Sequence, residues 1–108
     1  KEKKKKNYSD PTPPYIHPDA MEYIASTGVK HLLLDLPSVD RESDEGKLIA
    51  HRIFWNYPAN MNLERTITEM IFVDNNIPDG TYLLELQVAS FNNDASPSRP
   101  VIYTLKVK

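Results

Sequence analysis

Val29-Lys30-His31-Leu32-Leu33-Leu34-Asp35-Leu36-Pro37 decides the fold class. Its four leucines leave no polar side, so the stretch reads as a strand over 29–36 buried on both faces, and Pro37 stops it. Working back toward the start, Pro18 suits a first helical position, Asp19 and Glu22 suit a first turn, and Gly28 suits a stop. Met21, Ile24 and Ala25 fall between them at helical spacing, which predicts a short helix over 18–27. Working forward, Ser38 to Gly46 is a polar loop carrying Asp40, Glu42, Asp44 and Glu45. Lys47 to Tyr57 then has helical spacing, with Leu48, His51, Arg52 and Trp55 at i, i+3, i+4 and i+7, and Pro58 closes it.

Three more strands are predicted, over 66–73, 81–91 and 101–107, with Asp74-Asn75-Asn76 and Pro78-Asp79-Gly80 as turns between the first two. The order helix, strand, helix, strand, strand, strand defines an α/β class with one mixed sheet and two short helices. The first two strands suit a crossover through the second helix. The last three suit meander-like antiparallel pairing. Residues 1–17 form a basic, proline-rich connector, because Pro11, Pro13, Pro14 and Pro18 forbid helix and disfavour a central strand. Residues 18–108 form the folded body.

The 108 residues carry 13 basic and 15 acidic side chains, 40% hydrophobic and 26% charged, as one small globular domain does. The net charge of −2 hides an asymmetry: residues 1–6 hold five lysines and one glutamate. The body is therefore acidic, which speaks against nucleic acid as a partner, since such readers spread basic and aromatic groups over the folded surface. Apolar runs such as Leu32-Leu33-Leu34 and Met70-Ile71-Phe72-Val73 are far short of the ~20 residues of a membrane crossing. No apolar stretch follows the charged first residues, so no signal peptide is read and a cytoplasmic location is expected. Zero cysteines exclude disulfides, a thiolate nucleophile and thiolate metal ligands, and three glycines exclude a glycine-rich phosphate cradle. No Ser/His/Asp order and no two-histidine metalloprotease motif occurs.

Glu69 is the most informative residue. In Thr66-Ile67-Thr68-Glu69-Met70-Ile71-Phe72-Val73, alternation puts it on the same face as Ile67, Ile71 and Val73. A carboxylate among branched apolar groups pairs, neutralises or binds a cation. The other options are an edge strand facing water, or a salt bridge to Arg52 or Arg65. His51 lies on the apolar side of its helix, between Leu48 and Trp55, either as a hydrogen-bonded core histidine or as a ligand. An imidazole and a carboxylate converging from consecutive elements are what zinc and manganese sites use. His17 and His31 read as structural. Asp35, Ser38 and Asp40 close a buried strand, where functional polar groups gather in α/β proteins, although turn and capping chemistry accounts for them equally. Phe54, Trp55 and Tyr57 suit either a flat ligand or a core contact.

These residues fall in a known order. Gly28-Val29-Lys30, leading through Leu34-Asp35-Leu36-Pro37 to Ser38-Val39-Asp40, resembles the G-V-K-x-x-x-x-D-x-P-S-x-D stretch of the cyclase family that includes bacterial kynurenine formamidases. Ala50-His51, Thr68-Glu69-Met70 and Pro78-Asp79-Gly80-Thr81-Tyr82 follow in the family's order. Asp94-Ala95-Ser96-Pro97-Ser98-Arg99-Pro100-Val101 then resembles its D-A-S-P-x-R-P-V signature, the most specific match. The resemblance covers residues 16–105. It implies the C-terminal half of a swivelling β/β/α fold, and a hydrolase that attacks an arylformamide-like amide with a metal-activated water. His51 and Glu69 match the family's later metal ligands, for zinc or manganese. Ser38 and Asp40 match a supporting loop, which shapes the site without touching metal.

Two departures limit what is carried over. The family's N-terminal H-x-G-T-H-x-D-x-P-x-H motif, with most of its ligands and a catalytic histidine, does not occur here. The catalytic residues are therefore expected outside these 108, and the stretch alone is expected to be inactive. The segment between His51 and Glu69 is longer than in the formamidases, which leaves the substrate open. By resemblance the partners are a small-molecule substrate and further copies in a homo-oligomer, with no membrane. Two other readings stand beside this one: a non-catalytic α/β self-association module, and a family member that cyclises or dehydrates its substrate.

Overall fold

The computed structural model describes residues 13–106. The lysine-rich head and the first prolines of the expected connector lie outside the described residues. The chain divides into two compact units, Lys1–Phe72 and Val73–Lys108.

The first unit begins with helix α1, Pro18–Ser26. His17 is its N-cap and its ring accepts from the Asp19 amide at 3.2 Å, while Pro18 supplies a first helical residue that needs no N–H partner. Gly28, at φ +79°, takes the left-handed conformation that stops the helix. Strand β1, His31–Leu33, pairs in parallel with β2, Thr66–Thr68, with His31 opposite Thr66 and Leu33 opposite Thr68. Helix α2, Ile49–Trp55, lies between them in sequence, so the predicted crossover through a helix is present. Met21, Val39, Ala50 and Phe54 are fully buried and form the core. Ile24, Leu32, Leu34, Ile53 and Ile67 pack around them.

Both strands are shorter than the sequence predicts, for a visible reason. Met70 stands at φ +60° and turns the chain out of the ladder. The amides of Met70 and Ile71 then bond back to the carbonyls of Leu36 and Leu34 at 2.9 and 3.2 Å, an irregular continuation in place of a regular register. Two short strands cannot enclose a segment, so Leu32, Leu33, Leu34 and Leu36 are half-buried instead of covered on both faces.

The second unit is a β-hairpin. Strand β3, Tyr82–Val88, pairs antiparallel with β4, Ser98–Thr104, from Tyr82 opposite Thr104 to Val88 opposite Ser98. Strand β4 starts three residues before its predicted position. Pro100 is tolerated there because only one side of β4 is paired among the described residues. In place of the predicted mixed sheet there are, among the described residues, two separate two-stranded sheets, one parallel and one antiparallel. The ladder of β2 ends at Thr68, and the Met70 turn and the Asp74–Ile77 turn occupy the residues that would have joined it to a third strand. Leu84, Val88 and Ile102 share one face of the hairpin and stay exposed. Among the described residues no helix is long and apolar enough to cross a membrane.

Candidate functional site

The polar centre of the first unit grows out of how α2 starts. Leu48 precedes the helix in a left-handed conformation, φ 48°, and its own side chain caps nothing. The cap comes from the loop instead. Asp40 Oδ1 accepts from the Ala50 amide at 2.6 Å, and Oδ2 accepts from the His51 amide at 3.1 Å. Ser38 steadies this carboxylate's backbone, its Oγ accepting from the Asp40 amide at 3.1 Å. Asp40 is only 6% exposed, and these bonds offset the cost of taking its charge out of water.

The same carboxylate reaches the side chain of His51, with Oδ2 lying 2.6 Å from Nδ1. On the far side of the ring, Nε2 stands 3.4 Å from Glu69 Oε1. Glu69 follows directly on β2 and is itself held, because Oε1 accepts from the Val39 amide at 3.0 Å. The three acidic and basic groups thus come from a loop, a helix and a strand end, and the ring joins them. Trp55 tilts against the imidazole at 5.3 Å between ring centres. His51 and Glu69 are half-buried, so the pair is reachable from outside.

The sequence brings His51 and Glu69 to one side of one core, and the structure places them together. The alternative partners of Glu69 are engaged elsewhere. Arg65 donates to the carbonyls of Phe54 and Ala25 at 2.8 and 2.9 Å, and Arg52 lies over the Tyr57 ring at 5.3 Å. Asp40 does more than the loop-shaping expected of it, since it also caps α2 and contacts the imidazole. A sequence signal for this is faint: Asp40 stands ten residues before the amide it caps, beyond any local capping pattern. His17 is a helix cap, and His31 bonds Thr66 Oγ1 at 2.8 Å. Phe54 fills the core, and Tyr57 is exposed.

The separation of Nε2 and Oε1 tests whether these residues suit a cation. At 3.4 Å it is longer than the roughly 2.7–3.2 Å of an N–H···O hydrogen bond. Two ligands held about 2.0–2.2 Å from one tetrahedral ion stand about 3.3–3.5 Å apart, so the pair fits as two donors of such an ion. Asp40 cannot complete the set, because it faces the opposite ring nitrogen. Among the described residues no three His, Asp or Glu side chains are grouped to hold an ion.

A loop aspartate, a helical histidine and a glutamate at a strand end thus meet in one small α/β unit, and a comparison narrows the kinship. The chain is 31% identical over 90 residues to kynurenine formamidase of Bacillus cereus (strain ATCC 10987 / NRS 248), a distant homologue. The match takes in 82% of this chain and 39% of that relative, so the chain spans about two-fifths of the protein it matches. This agrees with the family resemblance carried by Gly28 to Asp40 and by Asp94 to Val101, and with a partial member of the cyclase family. No family model matches the chain, and no solved structure matches it.

Proposed function

We propose that residues 18–108 are the C-terminal part of a metal-dependent hydrolase with a kynurenine formamidase-like, swivelling β/β/α fold, acting on an arylformamide-like amide or a related carbonyl substrate. Residues 1–17 join this part to the preceding chain. The observation that carries the reading is the 3.4 Å approach of His51 Nε2 to Glu69 Oε1. The distant homology to a kynurenine formamidase supports it.

His51 and Glu69 would hold a zinc or manganese ion, which would supply a lowered pKa for a bound water and polarisation of the carbonyl under attack. The roles of this chain's own residues follow from their positions. His51 offers a ring nitrogen as a neutral donor, and Glu69 offers negative charge that offsets the cation's. The Val39 amide fixes the Glu69 oxygen, which keeps the two donors at ligand spacing without the cation. Trp55 covers one side of the ring and limits water there. The remaining ligands and the groups that move protons at the scissile bond come from chain outside these 108 residues. On this reading the protein is a homo-oligomer, and the open face of Leu84, Val88 and Ile102 supplies apolar surface for it.

That same face favours a second reading, a self-association module with no catalytic role. Metal content separates the two. In the complete polypeptide, bound metal is measured by mass spectrometry for wild type, His51→Ala and His31→Ala in parallel preparations. Loss of metal from His51→Ala with retention in His31→Ala supports the hydrolase. Equal metal in all three, or none in any, overturns it in favour of the module.

A further inference from the structure

Asp40 is the one buried charged side chain among the described residues, and its two oxygens serve three donors. Helix capping accounts for two of them, the amides of Ala50 and His51. The third contact, 2.6 Å to His51 Nδ1, is the shortest to Oδ2 and adds nothing to the cap. An ionised carboxylate only accepts, so this 2.6 Å contact is a hydrogen bond only when Nδ1 carries the proton. A neutral imidazole with its proton on Nδ1 has a bare lone pair on Nε2, the nitrogen that faces Glu69.

We infer that Asp40 is a positioning residue that fixes the tautomer and the ring angle of His51, reserving Nε2 for a cation shared with Glu69. The inference rests on the metal reading of the site for its purpose, though the tautomer can be determined without any metal. The geometry explains why the fastening comes from the loop and not from α2. A residue on the helix lies beside the ring or a turn away from it, whereas Asp40 meets the ring edge-on from outside the helix while holding the His51 amide. The imidazole is thereby tied to its own backbone through one carboxylate oxygen, which holds both rotation and tautomer.

Asp40→Asn tests this role: the amide can keep its oxygen on the Ala50 amide at the present 2.6 Å position, at the cost of the 3.1 Å bond from the His51 amide. Its NH2 then replaces Oδ2 and faces Nδ1, where it can donate only to a bare nitrogen. The other orientation sets NH2 against the Ala50 N–H at 2.6 Å, two donors in contact, and is the worse of the two. The substitution therefore drives the ring proton to Nε2 and removes the lone pair on the Glu69 side. The same logic applies where a carboxylate-to-amide change beside a catalytic histidine imposes the wrong tautomer.

The experiment uses the complete polypeptide, metal-free and labelled with 15N in histidine, at about pH 9, well above the ordinary imidazole range of about 6.5. Nitrogen spectra that assign the proton of His51 to Nδ1 in wild type and to Nε2 in Asp40→Asn are the expected result. Titration with Zn2+ alone is expected to show Asp40→Asn binding about 10–100-fold more weakly. A wild-type proton on Nε2 overturns the inference, even if the variant fails to fold. So does a folded Asp40→Asn, verified by circular dichroism, that binds Zn2+ within about threefold of wild type. Failure of the metal reading looks different: wild type takes up no Zn2+ while Nδ1 still carries the proton. That outcome sinks the proposed hydrolase and the cation role of Nε2, and leaves Asp40's hold on the ring standing.

Discussion

Replacing Arg65 by lysine tests how the first unit is held together. Its guanidinium donates to the carbonyls of Phe54 and Ala25 at 2.8 and 2.9 Å, close to the C-terminal ends of α2 and α1. Those carbonyls are among the acceptors a helix cannot satisfy itself, and they carry the negative end of its dipole. The same group lies 5.1 Å from the centre of the Phe54 ring. Charged hydrogen bonds contribute about 1.5–3 kcal/mol each and a cation–π contact about 0.5 kcal/mol or more. Arg65 is half-buried, so the lower values apply, and full removal of the group in Arg65→Met costs about 3 kcal/mol. A lysine ammonium is a point charge that cannot bridge two acceptors in fork geometry, so Arg65→Lys loses about half of that. Trp55 is the sole tryptophan and lies in the first unit, so its fluorescence during urea unfolding reports on that unit. With m about 1 kcal/mol/M, Arg65→Lys lowers the midpoint by about 1.5 M at unchanged slope. A midpoint within about 0.3 M of wild type, or a lysine variant less stable than the methionine one, refutes the clamp.

Two further outcomes follow from the backbone and the hairpin. Met70 is exposed at φ +60°, where a Cβ is strained, so Met70→Gly is expected to exceed Met70→Val in stability by about 1–2 kcal/mol. The reverse order in the same urea titration would show that the left-handed turn is unstrained. In the hairpin, the Tyr103 hydroxyl donates to Glu85 at 2.8 Å, Gln87 donates at 2.9 Å, and Arg99 lies nearby. Together they hold the Glu85 carboxyl below the usual carboxylate range. The bond raises the Tyr103 phenol in turn. A depressed Glu85 stabilises the folded hairpin above its unfolded value, and this is lost as pH falls through the lowered one. A raised Tyr103 stabilises it below the ordinary phenol range, lost as pH rises through the higher value. Hairpin amide protection should therefore fade at both ends of the pH range, and Tyr103→Phe should flatten both limbs. A Tyr103→Phe variant with the wild-type profile would show that the bond does not form in solution.

Some of this architecture is legible in the residues, and the physics says which parts. Helix α1 is framed by local chemistry, with Pro18 and Asp19 at one end and Gly28 at the other, and the sequence reading places it to within a residue. Strand lengths are not local. Thr66 to Val73 keeps strand-like alternation throughout, yet the ladder ends at Thr68 because one residue, Met70, adopts a conformation its side chain does not advertise. Pairing partners are likewise settled by long-range contacts, which is why one mixed sheet is expected and two separate sheets occur. Of the candidate site, the His51 and Glu69 juxtaposition follows from periodicity on consecutive elements. The dual use of Asp40 does not, since an aspartate in a polar loop looks the same whether it turns the chain or holds a ring.

The loop after Asp40 is fastened twice. Asp40 ties its beginning to α2, and Asp44 ties its end, with carboxylate oxygens on the Gly46 and Leu48 amides at 2.9 and 2.6 Å. Arg41, Glu42 and Ser43 span the interval between the two anchors and are exposed. Lengthening a loop between fixed ends costs little, about 0.6 kcal/mol for each doubling. Residues can therefore be gained or lost in that interval over evolutionary time without moving the imidazole. The same interval is a place to splice an epitope or a fluorophore that reports on the site from next door.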